Sequence, residues 1–70
     1  MELSTLLFQL ATIIGLDSGE LSLQSNLEEK GWDSLSQLEF IARADSLGLS
    51  ISAQELSLAQ TVEDLFNLVN

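Results

Sequence analysis

Hydrophobic residues recur at helical spacing near the N-terminus of the chain. Leucine or isoleucine occupies positions 3, 6, 7, 10, 13 and 14, which is the spacing of one face of an α-helix. Gly15 follows directly, and glycine is the residue that most often ends a helix. The pattern therefore predicts a first helix over residues 3–14.

The next segment, residues 16–33, interrupts this periodicity. It is rich in Ser, Asp, Glu and Gly, and we interpret it as a long loop. Leu21, Leu23 and Leu27 are spaced through it, so we expect the loop to lie across the core and to be held there by these side chains. A loop of this length is uncommon in so small a domain and is often functional.

Helical spacing returns after the loop. The pattern predicts a second helix from about Ser34 to Leu47, with Gly48 at its end. Ser52 and Glu55 then have the spacing of a capping box, which predicts a short third helix over residues 53–58.

The last helix is predicted over residues 62–69. Thr61 and Asp64 place a hydrogen-bond acceptor and an acid at its start, and apolar residues follow at helical spacing. Few residues are β-branched, which argues against a sheet. We predict an all-α fold: a four-helix bundle in one domain, residues 1–70, with a short third helix and a long loop between helices 1 and 2.

The second helix carries two apolar stripes on opposite sides. One contains Phe40, Ile41, Ala44 and Leu47. The other contains Leu35, Leu38 and Ala42, flanked by the acids Glu39 and Asp45. A helix in a small bundle needs only one buried face, and the aromatic ring gains most from burial. We therefore expect the Phe40 stripe in the core and the Leu38 stripe at the surface, as a protein-docking strip. The alternative is that both stripes are buried.

The composition narrows the possible functions. There is no Cys and no His among 70 residues, so disulfides, thiolate metal sites and the commonest general base are absent. The acidic run at residues 17–20 lacks the ligand spacing of a calcium loop, and we predict no metal site. Hydrophobic residues make up 46% of the chain but aromatic residues only 6%, which indicates an aliphatic core.

The charge balance restricts the partners. Eleven acidic residues face two basic ones, giving a net charge of −9. Nucleic acids and anionic membranes are therefore disfavoured, whereas proteins with basic patches are suitable partners. No signal peptide or apolar run of membrane-spanning length is recognisable, so we expect a cytoplasmic protein. We also expect a monomer. The initial Met1 and the lack of linkers favour a stand-alone protein.

The run GWDSL, residues 31–35, lies at the junction between the long loop and the second helix. Ser34 could be the N-cap of that helix with Gln37 at the N3 position, or Asp33 could cap it instead. A hydrolytic role for Ser34 would need a general base, and the chain has no His to serve as one. The residues that flank Ser34 also do not form the GxSxG motif. We therefore predict no catalytic residue and no enzymatic activity.

The residues around this junction resemble the modification site of acyl carrier proteins. In that family a leucine and a G-x-D-S-L motif precede a helix that continues with an apolar residue and Glu, as in the run LEEKGWDSLSQLE at residues 27–39. Ile51 before the short helix and the run TVEDL at residues 61–65 are similar to the C-terminal half of the family. The resemblance covers essentially the whole chain.

This resemblance implies a carrier function. Ser34 would receive a phosphopantetheine arm from coenzyme A, added by a separate phosphopantetheinyl transferase, and Asp33 would help to engage the transferase and its metal. Acyl groups would be carried as thioesters on the arm and presented to loading and transferring enzymes, such as ketosynthases or ligases, in fatty acid, polyketide or related secondary metabolism.

The family also implies roles for the two stripes of the second helix. The outer stripe would form the partner-recognition face: Leu35, Leu38, Glu39, Ala42 and Asp45. The inner stripe would line an interior that shelters an acyl chain: Phe40, Ile41, Ala44 and Leu47.

Two departures from typical fatty-acid carriers favour a specialised pathway, such as polyketide metabolism, and leave a carrier of an amino acid open as an alternative. Arg43 adds a positive charge to the second helix, and Trp32 replaces the small or aliphatic residue common before D-S. We interpret Trp32 as an anchor that holds the long loop against the core. The competing hypothesis is an unmodified acidic adaptor that binds partners through the same strip, in which Ser34 is only a helix cap.

Overall fold

The computed structural model describes residues 1–69, and this part of the chain folds into four α-helices. They are α1 (Leu3–Ile14), α2 (Ser34–Ser46), α3 (Ala53–Leu58) and α4 (Val62–Leu68). The all-α prediction is confirmed, and α1 and α3 have the predicted bounds. Helices α2 and α4 each end one residue earlier than predicted. Asn70, the last residue of the predicted domain, lies outside the described residues.

Helix α1 packs its periodic leucines into the core. Leu6 and Leu10 are completely buried, and Ala11 is nearly so. Gly15 adopts a left-handed conformation and donates its backbone N–H to the Ala11 carbonyl at 2.8 Å. This contact satisfies a carbonyl at the helix end and turns the chain into the loop.

The loop between α1 and α2 lies across the core as expected. It contains two short 3₁₀ turns, Ser18–Glu20 and Glu28–Lys30. Leu21 and Leu27 are buried and Leu23 is half-buried. The leucines of the loop therefore hold it against the bundle, which confirms the expectation from their spacing.

Backbone hydrogen bonds also join this loop to the start of α4. Asn26 and Thr61 form an isolated antiparallel bridge. Leu27 donates its backbone N–H to the Gln60 carbonyl at 2.9 Å, and Val62 donates to the Ser25 carbonyl at 3.1 Å. The loop thus has fixed hydrogen-bonding partners, and it holds the segment before α2 beside the connection between α3 and α4.

Helix α2 is anchored by its aromatic residue. Phe40 is completely buried, and the ring of Trp32 meets it edge-on with centroids 5.9 Å apart and planes at 68°. Trp32 itself is only 7% exposed. The interpretation of Trp32 as an anchor of the loop is therefore confirmed.

Leu47 does not occupy the interior position that was predicted. It is 52% exposed because α2 ends at Ser46, so that Leu47 no longer continues the buried face of the helix. Gly48 then takes a left-handed conformation, and the following residue, Leu49, packs against the core instead.

The two short C-terminal helices begin with complete capping boxes. Ser52 and Glu55 bond reciprocally at the start of α3, and Thr61 and Asp64 do so at the start of α4. The backbone N–H groups of Gln60 and Thr61 both donate to the Asp64 carboxylate and hold its pKa below the ordinary aspartate value. Helices this short are marginal in isolation, so these caps matter to the stability of the bundle.

Candidate functional site

Ser34 is the first residue of α2, and its side chain is exposed. The cap of this helix is Asp33, whose carboxylate accepts hydrogen bonds from the backbone N–H of Ser36 at 2.9 Å and from the Ser36 hydroxyl at 3.0 Å. Placing Ser34 itself at the N-cap was therefore wrong, and the alternative, Asp33, is confirmed. Within residues 1–69 the Ser34 hydroxyl has no hydrogen-bond partner, so it is accessible for chemical modification.

The local sequence determines which side chains of the junction point inward. Gly31 has a φ of +100°, a left-handed conformation that residues with a Cβ rarely adopt. An added Cβ would also lie 3.4 Å from Cγ2 of Ile14. After this turn the ring of Trp32 enters the core, whereas Asp33 and Ser34 remain at the surface.

The electrostatic environment of the junction combines a helix N-terminus with a carboxylate. The backbone N–H of Ser36, followed by its hydroxyl, lowers the pKa of Asp33 below the ordinary aspartate value. Asp33 is therefore ionised near neutral pH. The first turn of α2 also presents the positive end of the helix dipole, which is a favourable location for a phosphate group esterified to Ser34.

The outer stripe of α2 is exposed along its length. Leu35 is 75% exposed and Leu38 is 61% exposed. Ala42, Glu39 and Asp45 are exposed as well. The alternative in which both stripes are buried is thus excluded, and we call these five residues the α2 strip. Its function in partner recognition stays a prediction.

The residues of the inner stripe differ in burial. Phe40 and Ala44 are buried and Ile41 is half-buried, whereas Leu47 lies at the surface. Ile41 and Leu47 line separate surface depressions. The structure therefore does not bring the four residues together around one interior cavity, and shelter of an acyl chain by Phe40, Ile41 and Ala44 stays a prediction.

A cleft adjoins Ser34 that the sequence did not indicate. It has a volume of about 710 Å³ and lies between the loop at residues 26–28, the start of α2 and residues 57–60. Asn26, Gln37 and Gln60, which carry amide side chains, are among the residues that line it. The sequence marked Gln37 only as a possible capping residue and did not indicate the cleft, because the cleft forms only when the loop pairs with the start of α4.

No group of three His, Cys, Asp or Glu residues within positions 1–69 is arranged to hold a metal ion. None of the helices in this part of the chain has the length and apolar character needed to cross a membrane.

Comparison with known proteins gives two matches. The family described as "Phosphopantetheine attachment site" matches residues 4–69. A protein described as nonribosomal peptide synthetase aclP, from Aspergillus oryzae, is 38% identical over 58 residues, which cover 83% of this chain and 4% of that relative. No solved structure was found to match the chain.

Proposed function

Because the chain belongs to the family of phosphopantetheine attachment domains, we propose that it is a carrier whose arm is attached to Ser34. The cofactor of this family is a covalently bound phosphopantetheine. When bound, it supplies a terminal thiol on which acyl groups form thioesters. A chain without Cys can take part in thiol chemistry in this way.

The observation that carries the assignment of Ser34 is its position. The hydroxyl is exposed at the first residue of α2, while the neighbouring Asp33 caps the helix in its place. In the modification reaction, the Ser34 Oγ loses its proton and bonds to the phosphate that links the arm to the nucleotide of coenzyme A, and adenosine bisphosphate leaves. The helix N-terminus favours the resulting phosphodiester.

We assign Asp33 to the engagement of the transferase. Its carboxylate is ionised, exposed and next to the modified hydroxyl. A magnesium ion held by the transferase prefers oxygen ligands of this kind. The hydrogen bonds from Ser36 keep the carboxylate in one orientation beside Ser34.

The α2 strip is the proposed docking surface for partner enzymes. Exposed leucines flanked by carboxylates combine a small apolar contact with long-range attraction to basic surfaces. The net charge of −9 strengthens this attraction. Carrier domains are generally non-catalytic, and we propose that this chain likewise presents its cargo to other enzymes without catalysing the reaction itself.

The cargo that we propose is an acyl or aminoacyl group of secondary metabolism. The similarity to a chain named as a nonribosomal peptide synthetase supports an aminoacyl or peptidyl cargo alongside the polyketide and fatty-acid classes. Loading of the modified protein by an amino-acid-activating enzyme, compared with loading by a malonyl or acyl transferase, separates these classes.

Intact-mass measurement tests the carrier function. The purified protein is incubated with coenzyme A, magnesium and a transferase of broad specificity, beside Ser34→Ala and Ser46→Ala variants. Ser46 is a matched control, an exposed serine at the other end of α2. We expect the parent and the Ser46 variant to gain the mass of one arm and the Ser34 variant to gain nothing.

The same experiment also distinguishes the carrier from the competing function, an unmodified adaptor. The exposure of the α2 strip would equally suit an adaptor that binds partners without being modified. A folded parent protein that gains no mass with several transferases would overturn the carrier proposal in favour of the adaptor.

A further inference from the structure

We propose that the cleft beside Ser34 holds the phosphopantetheine arm between transfer reactions, with the indole N–H of Trp32 donating a hydrogen bond to an amide carbonyl of the arm. This inference rests on the proposed attachment at Ser34. It assigns the resting position of the arm and gives Trp32 a binding function in addition to its packing function.

The position of the cleft suits a chain attached to Ser34. Ser34 forms part of its wall, so the arm can enter directly from its point of attachment. The volume of about 710 Å³ is within the range of pockets that bind small organic molecules. The opposite wall comes from the loop and from the connection between α3 and α4, which backbone hydrogen bonds hold together.

Trp32, one of the residues that line this cleft, carries a buried donor without a partner. The residue is 7% exposed, and its Nε1 is buried without a hydrogen-bond partner among the described residues. An indole nitrogen can only donate, and a buried donor that stays unpaired is costly. Side chains cover this nitrogen, so a partner that enters the cleft has to displace some of them to reach it.

Residues 1–69 contain one more buried side-chain nitrogen without a hydrogen-bond partner, and it lies away from the cleft. It is Nε of Arg43, which does not line the cleft. The same guanidinium donates to Gln9 at 2.9 Å and to Glu39 at 3.5 Å, so part of this group is already bonded. Trp32 is therefore the unpaired buried donor that points to a ligand near Ser34.

The remaining walls match the chemistry of the arm better than that of an alkyl chain. Phosphopantetheine alternates amide groups with short apolar segments. The side-chain amides of Gln37 and Gln60 make no hydrogen bond within residues 1–69, and both border the cleft. Leu27 and Ala59 are apolar residues that also line the cleft. An alkyl chain in this cleft could not bond to these amides, whereas the amide groups of the arm can.

Nuclear magnetic resonance of the modified protein tests the inference directly. Trp32 is the single tryptophan of the chain, so a ¹⁵N-labelled sample gives one indole N–H signal to follow. After the arm is attached and before any cargo is loaded, we expect a downfield shift of this proton and several-fold slower exchange with water. Cross-relaxation between the arm and the methyl groups of Leu27 and Ala59 is expected as well. Ser34→Ala protein treated identically should show none of these changes.

A Trp32→Phe variant separates the donor from the ring. Phenylalanine keeps an aromatic ring against Phe40 but removes the N–H group. In the modified variant we expect weaker arm-to-cleft cross-relaxation and several-fold faster reaction of the arm thiol with a disulfide reagent. Modification should still go to completion. Phe8→Leu serves as the control, because Phe8 is an aromatic residue of α1 that is 61% exposed and does not line the cleft.

The outcomes distinguish this inference from the carrier function. Failure of the parent to gain the mass of the arm overturns both. Complete modification with an unchanged indole signal overturns the resting position alone. A shift that appears only after a cargo is loaded assigns the hydrogen-bonding carbonyl to the cargo and also overturns the proposal for the arm.

Discussion

Asp33 and Ser36 are joined by two hydrogen bonds to the same carboxylate oxygen. The backbone N–H of Ser36 donates to Oδ1 of Asp33 at 2.9 Å, and its hydroxyl donates to the same oxygen at 3.0 Å. Together they cap α2 without any contribution from the serine between them. Ser34 can therefore be esterified without loss of the interaction that starts the helix.

Replacing Asp33 separates its capping function from its charge. Asp33→Ala removes the cap, and we expect the melting temperature to fall by roughly 4–8 °C, as is typical of cap loss in a domain of this size. Asp33→Asn should stay close to the parent in stability, because Asn caps helices about as well as Asp. Melting followed by circular dichroism measures this difference.

The same two variants test the proposed engagement of the transferase. Both remove the carboxylate, so the rate of arm attachment should fall in both, as followed by intact mass over time. If Asp33→Asn were modified at the parental rate, the carboxylate would have no function beyond the cap.

Acid should destabilise the protein through its two capping aspartates. Hydrogen bonds from backbone N–H groups lower the pKa of Asp33 and of Asp64 in the folded state. Their stabilisation is therefore fully present above the ordinary aspartate pKa of about 3.9 and is lost as the pH falls toward the lower folded values. Urea unfolding measured between about pH 5 and pH 2 should show this loss.

A variant without either carboxylate is the comparison for this pH dependence. Asp33→Asn combined with Asp64→Asn keeps hydrogen-bond acceptors that do not titrate in this range. Its unfolding midpoint should change less with pH than that of the parent. Equal pH dependence in the two proteins would mean that other carboxylates govern acid unfolding.

Substitution in the α2 strip should affect partners more than folding. Leu38 is 61% exposed, so Leu38→Asp should change the free energy of unfolding by no more than about 0.5 kcal/mol. Transfer to a partner enzyme should slow on the order of tenfold if Leu38 is a central contact. Glu39→Lys should also slow transfer, more at low salt than at high salt.

An exposed leucine outside the strip provides the matched control. Leu58 of α3 is 76% exposed, and Leu58→Asp introduces the same charge at a distance from the strip in sequence. We expect parental transfer rates for this variant. Equal losses of transfer in the two aspartate variants, or a loss for Leu38→Asp that matches its loss of stability, would argue against recognition by the strip.

Phe40 should be the residue on which the bundle depends most strongly. It is completely buried and contacts the ring of Trp32. Truncation of a buried Phe to Ala typically costs about 3–5 kcal/mol, which is a large part of the stability of a small domain. Phe40→Ala should therefore be largely unfolded at 37 °C, whereas Phe40→Leu should remain folded with a lower unfolding midpoint. Far-ultraviolet circular dichroism distinguishes these states.

Periodicity and capping residues were sufficient to predict the helices. The spacing of Leu6 and Leu10 predicted the buried face of α1, and Ser52 with Glu55 predicted the start of α3. These signals are local, because a helix face and its caps involve residues within a few positions of one another. The candidate attachment residue, Ser34, was likewise found from the contiguous motif around it.

The cleft and the orientation of single residues depended on contacts that are distant in sequence. Asn26 meets Thr61 only in the folded chain, and this pairing creates the cleft beside Ser34. The choice of Asp33 over Ser34 as the cap depended on backbone geometry at the junction, since both residue types can cap a helix. Leu47 turned outward because α2 ended before it.

The sequence by itself determined the helical architecture, the acidic surface and the GWDSL run that contains the candidate attachment residue. Each follows from residue type and short-range spacing. Only the tertiary structure decided that the long loop pairs with the start of α4 and that a cleft opens beside Ser34. It likewise decided that the indole nitrogen of Trp32 is left without a partner. These features arise where segments far apart in sequence pack together, and such packing leaves no periodic signal in the chain.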